Sequence, residues 1–107
     1  MKETILYTTF SNIDEAKKIA NILLKDKLAA CVNIFPGGES MYNWQGKVEH
    51  SIEVYAFIKT HQTLIQKIED VYKKNHSYDT PCLAELGEVK FNQKYHEWLN
   101  DELIKKG

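Results

Sequence analysis

The order of hydrophobic patterns along the chain constrains its fold more than any other feature of the sequence. Two stretches place their apolar residues on one helical face, Ile13 to Lys27 and Leu64 to Asn75. Each follows a strand-like run, and two such runs in succession stand between them. One more strand-like run and a last amphipathic segment follow. This order predicts an α+β fold.

The strand-like runs are rich in β-branched and aromatic residues, and turn-forming residues separate them. The four runs extend over residues 5–10, 28–35, 48–60 and 81–89. The second of them has an extended continuation at 40–45. Turn signals stand at Pro36-Gly37-Gly38 and at Gln45-Gly46-Lys47. Asn12, with Glu15 three residues later, predicts a capping box at the start of the first helix. Asn92 begins the last helix.

The predicted order is that of the split β-α-β, or ferredoxin-like, fold: β-α-β-β-α-β plus a C-terminal helix. This fold has an antiparallel sheet with its two helices on one face, and the length of 107 residues fits a single domain over 1–107. Apolar side chains also belong to the other face or edge, namely Tyr42, Trp44, Tyr55 and Phe57. Because a monomer would expose them as a large patch, we expect a closed homo-oligomer.

Composition excludes several classes of function. The chain has 14 basic and 15 acidic residues, and all 14 basic residues are lysines. Without arginine there is no bidentate guanidinium clamp for phosphate or guanine. We expect no nucleic-acid partner, and the absence of a long apolar run predicts no membrane span. Two cysteines, Cys31 and Cys82, are too few for a disulfide framework, and no signal-peptide pattern is seen, so we expect a cytoplasmic protein.

Two residues are candidate metal ligands. The imidazole of His76 suits Cu(II), Zn(II) and Ni(II), although a histidine at a helix C-terminus is also stabilised by the helix dipole. Cys82 lies six residues later, and if the segment folds back, a thiolate and an imidazole would suit Cu(I) or Zn(II). Such a pair needs a third ligand, for instance from a neighbouring subunit. The other histidines, His50, His61 and His96, are expected to be solvated.

A carboxylate interrupts the strand over 48–60, which is otherwise apolar on both faces. Buried alone, Glu53 would be costly, and regular alternation places Lys59 on the same face. Both charges are therefore predicted to face one inter-subunit polar pocket, lined by Trp44 and Tyr78 from nearby segments or from a neighbouring subunit. The alternative is an ion pair that fixes the register of an oligomer.

Five groups of residues form a set of motifs that covers nearly the whole chain. They are Leu28-Ala29-Ala30-Cys31-Val32-Asn33-Ile34, Tyr42-Asn43-Trp44-Gln45-Gly46-Lys47-Val48-Glu49, Glu53-Val54 with Ile58-Lys59-Thr60, His76-Ser77-Tyr78-Asp79-Thr80-Pro81, and Tyr95-His96-Glu97-Trp98-Leu99. In this order and spacing they resemble the CutA divalent-cation-tolerance family.

The resemblance implies a ferredoxin-like subunit in a tight homotrimer, tied to tolerance of copper and other divalent metals. It also implies an architecture similar to the PII-type signalling trimers, and no established catalytic reaction. The chain departs from the family where Ser77 replaces a usual proline and Cys82 a common glutamate. The family's assigned copper positions match Thr8, Asn75 and His76, of which only His76 is a typical ligand.

The leading hypothesis is a trimeric, non-enzymatic protein of metal tolerance or signalling. It needs no cofactor, and copper or another divalent metal ion is its candidate ligand. A PII-like trimer that senses a small molecule or anion is the alternative. An acylphosphatase-like enzyme is disfavoured because the first strand–helix loop offers Phe10-Ser11-Asn12 and no arginine. An RNA-binding module is disfavoured because Tyr55 and Phe57 lack the flanking glycine and basic residue of an RNP1 string.

Overall fold

The computed structural model describes residues 2–104 and has the predicted order of elements. The strands are β1 (Glu3–Phe10), β2 (Cys31–Trp44), β3 (Lys47–His61) and β4 (Leu83–Glu88). The helices are α1 (Ile13–Lys25), α2 (Ile65–Asn75) and α3 (Gln93–Glu102), and a 3-10 turn over Gln62–Leu64 joins β3 to α2. No helix in this part of the chain is long and apolar enough to cross a membrane.

The four strands form one sheet in the order β2-β3-β1-β4, and every neighbouring pair is antiparallel. β3 lies between β1 and β2, the two strands that α1 connects, so the β-α-β unit is split as predicted. In the centre of the sheet, β1 pairs with β3 from Glu3 opposite His61 to Phe10 opposite Val54. The ferredoxin-like α+β prediction is confirmed.

The strands β2 and β3 form a long hairpin with a two-residue turn. Gln45 and Gly46 both have positive φ, 52° and 80°, which is the backbone of a type I′ turn. β1 ends opposite Val54, and the hairpin continues beyond it as a two-stranded arm over residues 38–53. We call this segment the hairpin arm. It accounts for the elongated shape of 45 × 26 × 21 Å.

The predicted break at Pro36-Gly37-Gly38 is a bulge within one continuous strand. The register shifts between the Phe35–Tyr55 and Gly38–Glu53 pairs, so β2 bends but keeps its pairing with β3. Gly38 is required here because a Cβ at this position would lie 2.4 Å from the ring of Tyr55. The bend therefore depends on a residue without a side chain.

The core lies between one face of the sheet and the helices. Leu6 and Phe10 of β1 and Ala56 and Ile58 of β3 are fully or almost fully buried against α1 and α2. On α1 the buried residues follow the predicted helical face: Ala16, Ile19, Ala20 and Leu23. Of the predicted capping box, the bond from the Glu15 N–H to Asn12 Oδ1 forms at 2.8 Å, whereas Glu15 Oε1 accepts from the N–H of Ser11, one residue before the cap, at 3.3 Å.

The opposite face of the sheet is apolar and largely uncovered within the subunit. Tyr7 packs beside Tyr55 and Phe57, with ring centroids 6.2 and 6.0 Å away. On the hairpin arm, Ile52 is 61% exposed and Trp44 56% exposed. The expectation of apolar side chains beyond the helix-covered face is thus met, and those near the end of the hairpin arm remain exposed.

The helix α3 covers one end of the sheet through a buried polar cluster. Glu3 is almost fully buried, accepts from Asn100 Nδ2 at 3.0 Å and contacts Nδ1 of His96. His61, opposite Glu3 in the register, is completely buried, and neither ring nitrogen has a hydrogen-bond partner among the described residues. The prediction that His61 is solvated is wrong, because α3 closes over the end of β3. His50 is exposed as predicted and contacts Glu39.

Burial lowers the pKa of His61 more than the nearby Glu3 raises it. The folded protein therefore keeps this imidazole neutral to a lower pH than the unfolded chain, which takes up a proton near pH 6.5. Folding stability is complete above that pH and falls as the pH drops further, by at most about 1.4 kcal/mol per pH unit. We expect His61→Leu to flatten this slope in urea unfolding measured between pH 7 and 5. The exposed-residue control His50→Gln should keep it, and an unchanged slope in His61→Leu contradicts the prediction.

Candidate functional site

A cleft of about 1000 Å³ opens where the hairpin arm leaves the sheet. Its walls come from the second face of β1, from the arm and from the segment between α2 and β4. Of the predicted site residues, the cleft brings together Trp44, Glu53, Tyr78 and Cys82. Lys59 and His76 do not line it.

The closest contact in the cleft joins Glu53 to Tyr78. Glu53 is only 9% exposed, and the Tyr78 hydroxyl donates to its Oε2 at 2.6 Å. Burial raises the pKa of Tyr78, and the bond to the Glu53 carboxylate raises it further. Tyr78 therefore stays a protonated donor at neutral pH. The buried carboxylate is satisfied by a phenol and not by the lysine that alternation along β3 predicted.

Lys59 lies at the other end of β3. Its Nζ donates to the Tyr95 hydroxyl at 3.3 Å and stands 5.0 Å from the centre of the Tyr95 ring. Alternation along a strand shows which residues share a face, but residues on one face can still be far apart. Six residues at roughly 3.3 Å each separate Lys59 from Glu53 by about 20 Å. The single polar pocket predicted from both charges does not form within the subunit, and neither does their ion pair.

His76 sits behind the cleft in a stack of aromatic rings. Its Nε2 donates to the Thr9 carbonyl at 2.9 Å, and its Nδ1 accepts from the Tyr78 N–H at 3.1 Å. These partners assign the neutral tautomer with the proton on Nε2. The ring stacks on Phe10 at 5.2 Å. A metal ion would have to displace one of the two hydrogen bonds, so the arrangement does not fit a ready-made metal ligand.

Cys82 is exposed and lines the cleft, while its carbonyl accepts a hydrogen bond from β1. Thr8 Oγ1 donates to the Cys82 carbonyl at 2.8 Å and accepts from the Tyr72 hydroxyl at 2.8 Å. Asn75, at another family copper position, donates to the carbonyl of Val71. Within residues 2–104 no group of three or more His, Cys, Asp or Glu is placed to hold a metal ion. The assignment of His76 and Cys82 as ligands stays a prediction.

The charged side chains that line the cleft are all acidic. They are Glu49, Glu53 and Asp79, and none of the described lining residues is a lysine. The rings of Tyr42 and Trp44 form the apolar part of the wall. Such a lining attracts a cation and repels an anion.

Glu15 is a site residue that the sequence reasoning missed. Beyond its part in the capping box, its Oε2 accepts from the Ser77 N–H at 2.7 Å, which ties α1 to the segment beside the cleft. Burial alone would raise the pKa of Glu15, but the bonds from Ser77 and Ser11 outweigh it and hold that pKa below its usual value. The capping signal located Glu15, and no local pattern could show a contact 62 residues away.

Removing the charge at Glu53 should lower the pKa of Tyr78, because the carboxylate disfavours the phenolate. We expect this for Glu53→Gln, with the titration followed at the ring Cζ of labelled tyrosine by NMR. The control is Glu49→Gln, since Glu49 lines the same cleft without a hydrogen bond to Tyr78. An equal shift in both variants contradicts a specific contact.

Comparison with known proteins agrees with the fold. The family model for the CutA1 divalent ion tolerance protein matches residues 4–102. Over 97 residues the chain is 42% identical to the chloroplastic protein CutA of Arabidopsis thaliana, covering 91% of this chain and 53% of that protein. It is 37% identical over 99 residues to the divalent-cation tolerance protein CutA of Thermococcus kodakarensis, covering 92% and 94%. The chain spans about half the length of the plant relatives.

Solved structures give the same result. The crystal structure of CutA1 from Oryza sativa superposes with a TM-score of 0.94 at 38% identity, covering 99% of this chain and 97% of that one. CutA1 from Thermus thermophilus gives 0.90 at 34% identity, covering 94% and 98%. Because the family model, the relatives and the superpositions all extend over nearly the full domain, the chain belongs to the CutA1 divalent ion tolerance family.

Proposed function

We propose that this protein binds divalent metal ions as a homotrimer, with copper as the first candidate, and that it serves metal tolerance or signalling without catalysing a reaction. The observation that carries the proposal is the acidic cleft at the base of an uncovered apolar hairpin arm. The cleft supports binding of a cation. The arm supports an assembly of several copies around it.

The exposed side chains of the hairpin arm support an oligomer. Met41, Trp44, Val48 and Ile52 are each more than half exposed in the subunit. An apolar surface of this kind is costly in water and is typical of an interface. A closed ring of identical subunits buries the same patch on each copy, which supports the homotrimer expected from the family resemblance.

The lining of the cleft supports a metal ion over the anion of the PII-like alternative. Glu53, Glu49 and Asp79 provide oxygen ligands for hard cations, and Cys82 provides a thiol for softer ones. Under the proposal, His76 joins them only if it gives up its bond to Thr9 or to Tyr78. A subunit assembly would also allow a ligand from a second copy.

A non-catalytic role is supported by the chemistry of the groups in the cleft. Tyr78 is held protonated by its bond to Glu53, so it is a poor base. Both nitrogens of His76 are engaged in hydrogen bonds, so this imidazole is not free to activate the Cys82 thiol. We also propose a cytoplasmic location, with which the free thiols of Cys31 and Cys82 are compatible. Relatives differ on this point, since the plant proteins are named chloroplastic and a structure from Archaeoglobus fulgidus is titled periplasmic.

Equilibrium sedimentation tests the assembly. We expect a mass three times that of the 12.5 kDa chain at micromolar concentration. Ile52→Lys places a charge on the hairpin arm and should shift the protein towards smaller species. The matched control is Leu24→Lys, which changes an exposed apolar residue of α1 remote from the arm. A wild-type monomer refutes the trimer.

Calorimetry with Cu(II), Zn(II) and Cd(II) tests the metal site. We expect His76→Ala and Cys82→Ser each to weaken binding by about tenfold or more, since each removes a proposed ligand. The controls are His50→Ala and Cys31→Ser, which change the same residue types at positions that are not proposed as ligands. Unchanged heats in both test variants would remove this site assignment while leaving the trimer untouched.

A further inference from the structure

The segment Ser77–Cys82 is a thin wall between two cavities. On one side is the cleft, and on the other a cavity of about 650 Å³ beside α2. Tyr78 and Asp79 line both. Apart from the Tyr78 ring, which packs on His76 with centroids 4.8 Å apart, a segment with cavities on both sides gains little from apolar packing, so its position depends largely on specific polar contacts.

Two carboxylates contact this wall, one near its start and one across the cleft. They act beside two neutral hydrogen bonds, from the Tyr78 N–H to His76 Nδ1 at 3.1 Å and from Thr8 Oγ1 to the Cys82 carbonyl at 2.8 Å. Ser77 donates its N–H to Glu15 Oε2 at 2.7 Å, and Tyr78 donates its hydroxyl to Glu53 Oε2 at 2.6 Å. Both are charge-assisted hydrogen bonds, which are stronger than neutral ones. The wall itself has no helix or strand structure, and four of its six residues are exposed.

Glu15 is well placed to hold the wall because its own position is fixed. Its Oε1 accepts from the N–H and the hydroxyl of Ser11 at 3.3 and 3.2 Å, and its N–H donates to Asn12. The second oxygen, Oε2, is the one that reaches Ser77. One side chain thus caps α1 and anchors the wall, and Asp14 beside it carries an equal charge in the same first turn.

We propose that Ser77–Cys82 is a movable wall of the cleft, held closed by Glu15 and Glu53, with Glu15 acting as a positioning residue. A cation bound at Glu53 competes with the Tyr78 hydroxyl for Oε2 and loosens the wall, which turns occupancy of the cleft into a change of conformation. This second step rests on the proposed function. The closed position of the wall does not.

The first test compares Glu15→Gln with Asp14→Asn. Both substitutions remove one negative charge from the first turn of α1, so they weaken the helix dipole interaction alike. We expect the Ser77 amide to exchange with solvent about tenfold faster in Glu15→Gln only, measured by NMR on the metal-free protein. Equal rates in the two variants overturn the role of Glu15.

The second test removes the donor instead of the acceptor. Ser77→Pro deletes the N–H, and His76 already has φ −80° and ψ 140°, the conformation that a residue before proline prefers. Ser77→Ala keeps the N–H, loses only the Ser77 hydroxyl with its 3.4 Å contact to Ser11, and is the control for the backbone bond. We expect ¹⁵N relaxation dispersion at Asp79 and Thr80 in Ser77→Pro and in Tyr78→Phe, and not in Ser77→Ala. If Ser77→Pro does not fold, Tyr78→Phe is the deciding variant. Absence of dispersion at Asp79 and Thr80 in Tyr78→Phe overturns the proposal.

A titration with Zn(II) separates the wall from the proposed function. We expect Zn(II) to induce dispersion at Asp79 and Thr80 in the wild type, as the wall loosens. If the variants mobilise the wall but Zn(II) does not bind, the proposal of a movable wall is supported and the metal-binding proposal fails. If Zn(II) binds and the wall stays as rigid as before, the coupling between cation and wall is overturned.

Discussion

The difference in length between the two central strands is the constraint on which the rest of the structure depends. β1 has 8 residues and β3 has 15, so pairing stops at Phe10 while the hairpin continues. Beyond that point the arm pairs with no third strand among residues 2–104 and exposes apolar side chains. The end of β1 also leaves the space that the wall segment and the arm enclose as a cleft. Exposed arm and acidic cleft are therefore two results of one mismatch.

Local patterns were sufficient for the elements and their order. The period of α1 and the capping box at Asn12 located the first helix, and alternation along β3 assigned its residues to the correct faces. The same patterns could not place residues along a face. Lys59 shares a face with Glu53, yet it contacts Tyr95 of α3 at the far end of the strand. The sequence predicts His61 in solvent, whereas it is buried in the structure. No local pattern shows this, because the burial arises from α3, which is distant in sequence.

The site could be predicted only in part, because its contacts join distant segments. Glu53 was singled out as a carboxylate that must find a partner, and it has one, but the partner is the Tyr78 hydroxyl. The imidazole of His76 suggests a metal ligand, whereas in the structure its two nitrogens form hydrogen bonds with the backbone of Thr9 and Tyr78. Such hydrogen bonds depend on how the loop after α2 returns to β1. That path is a property of the packed domain and has no periodic signal in the sequence.

The central place of β1 in the sheet has a consequence for synthesis of the chain on the ribosome. β1 emerges before both of its partners, since β3 and β4 follow it by tens of residues. The hydrogen bond that Glu3 accepts comes from Asn100, 97 residues further along the chain. Until those segments are made, the nascent chain carries an apolar strand with both edges open, which favours wrong pairing with other chains. Folding of this domain is therefore completed late, after α3 has been translated.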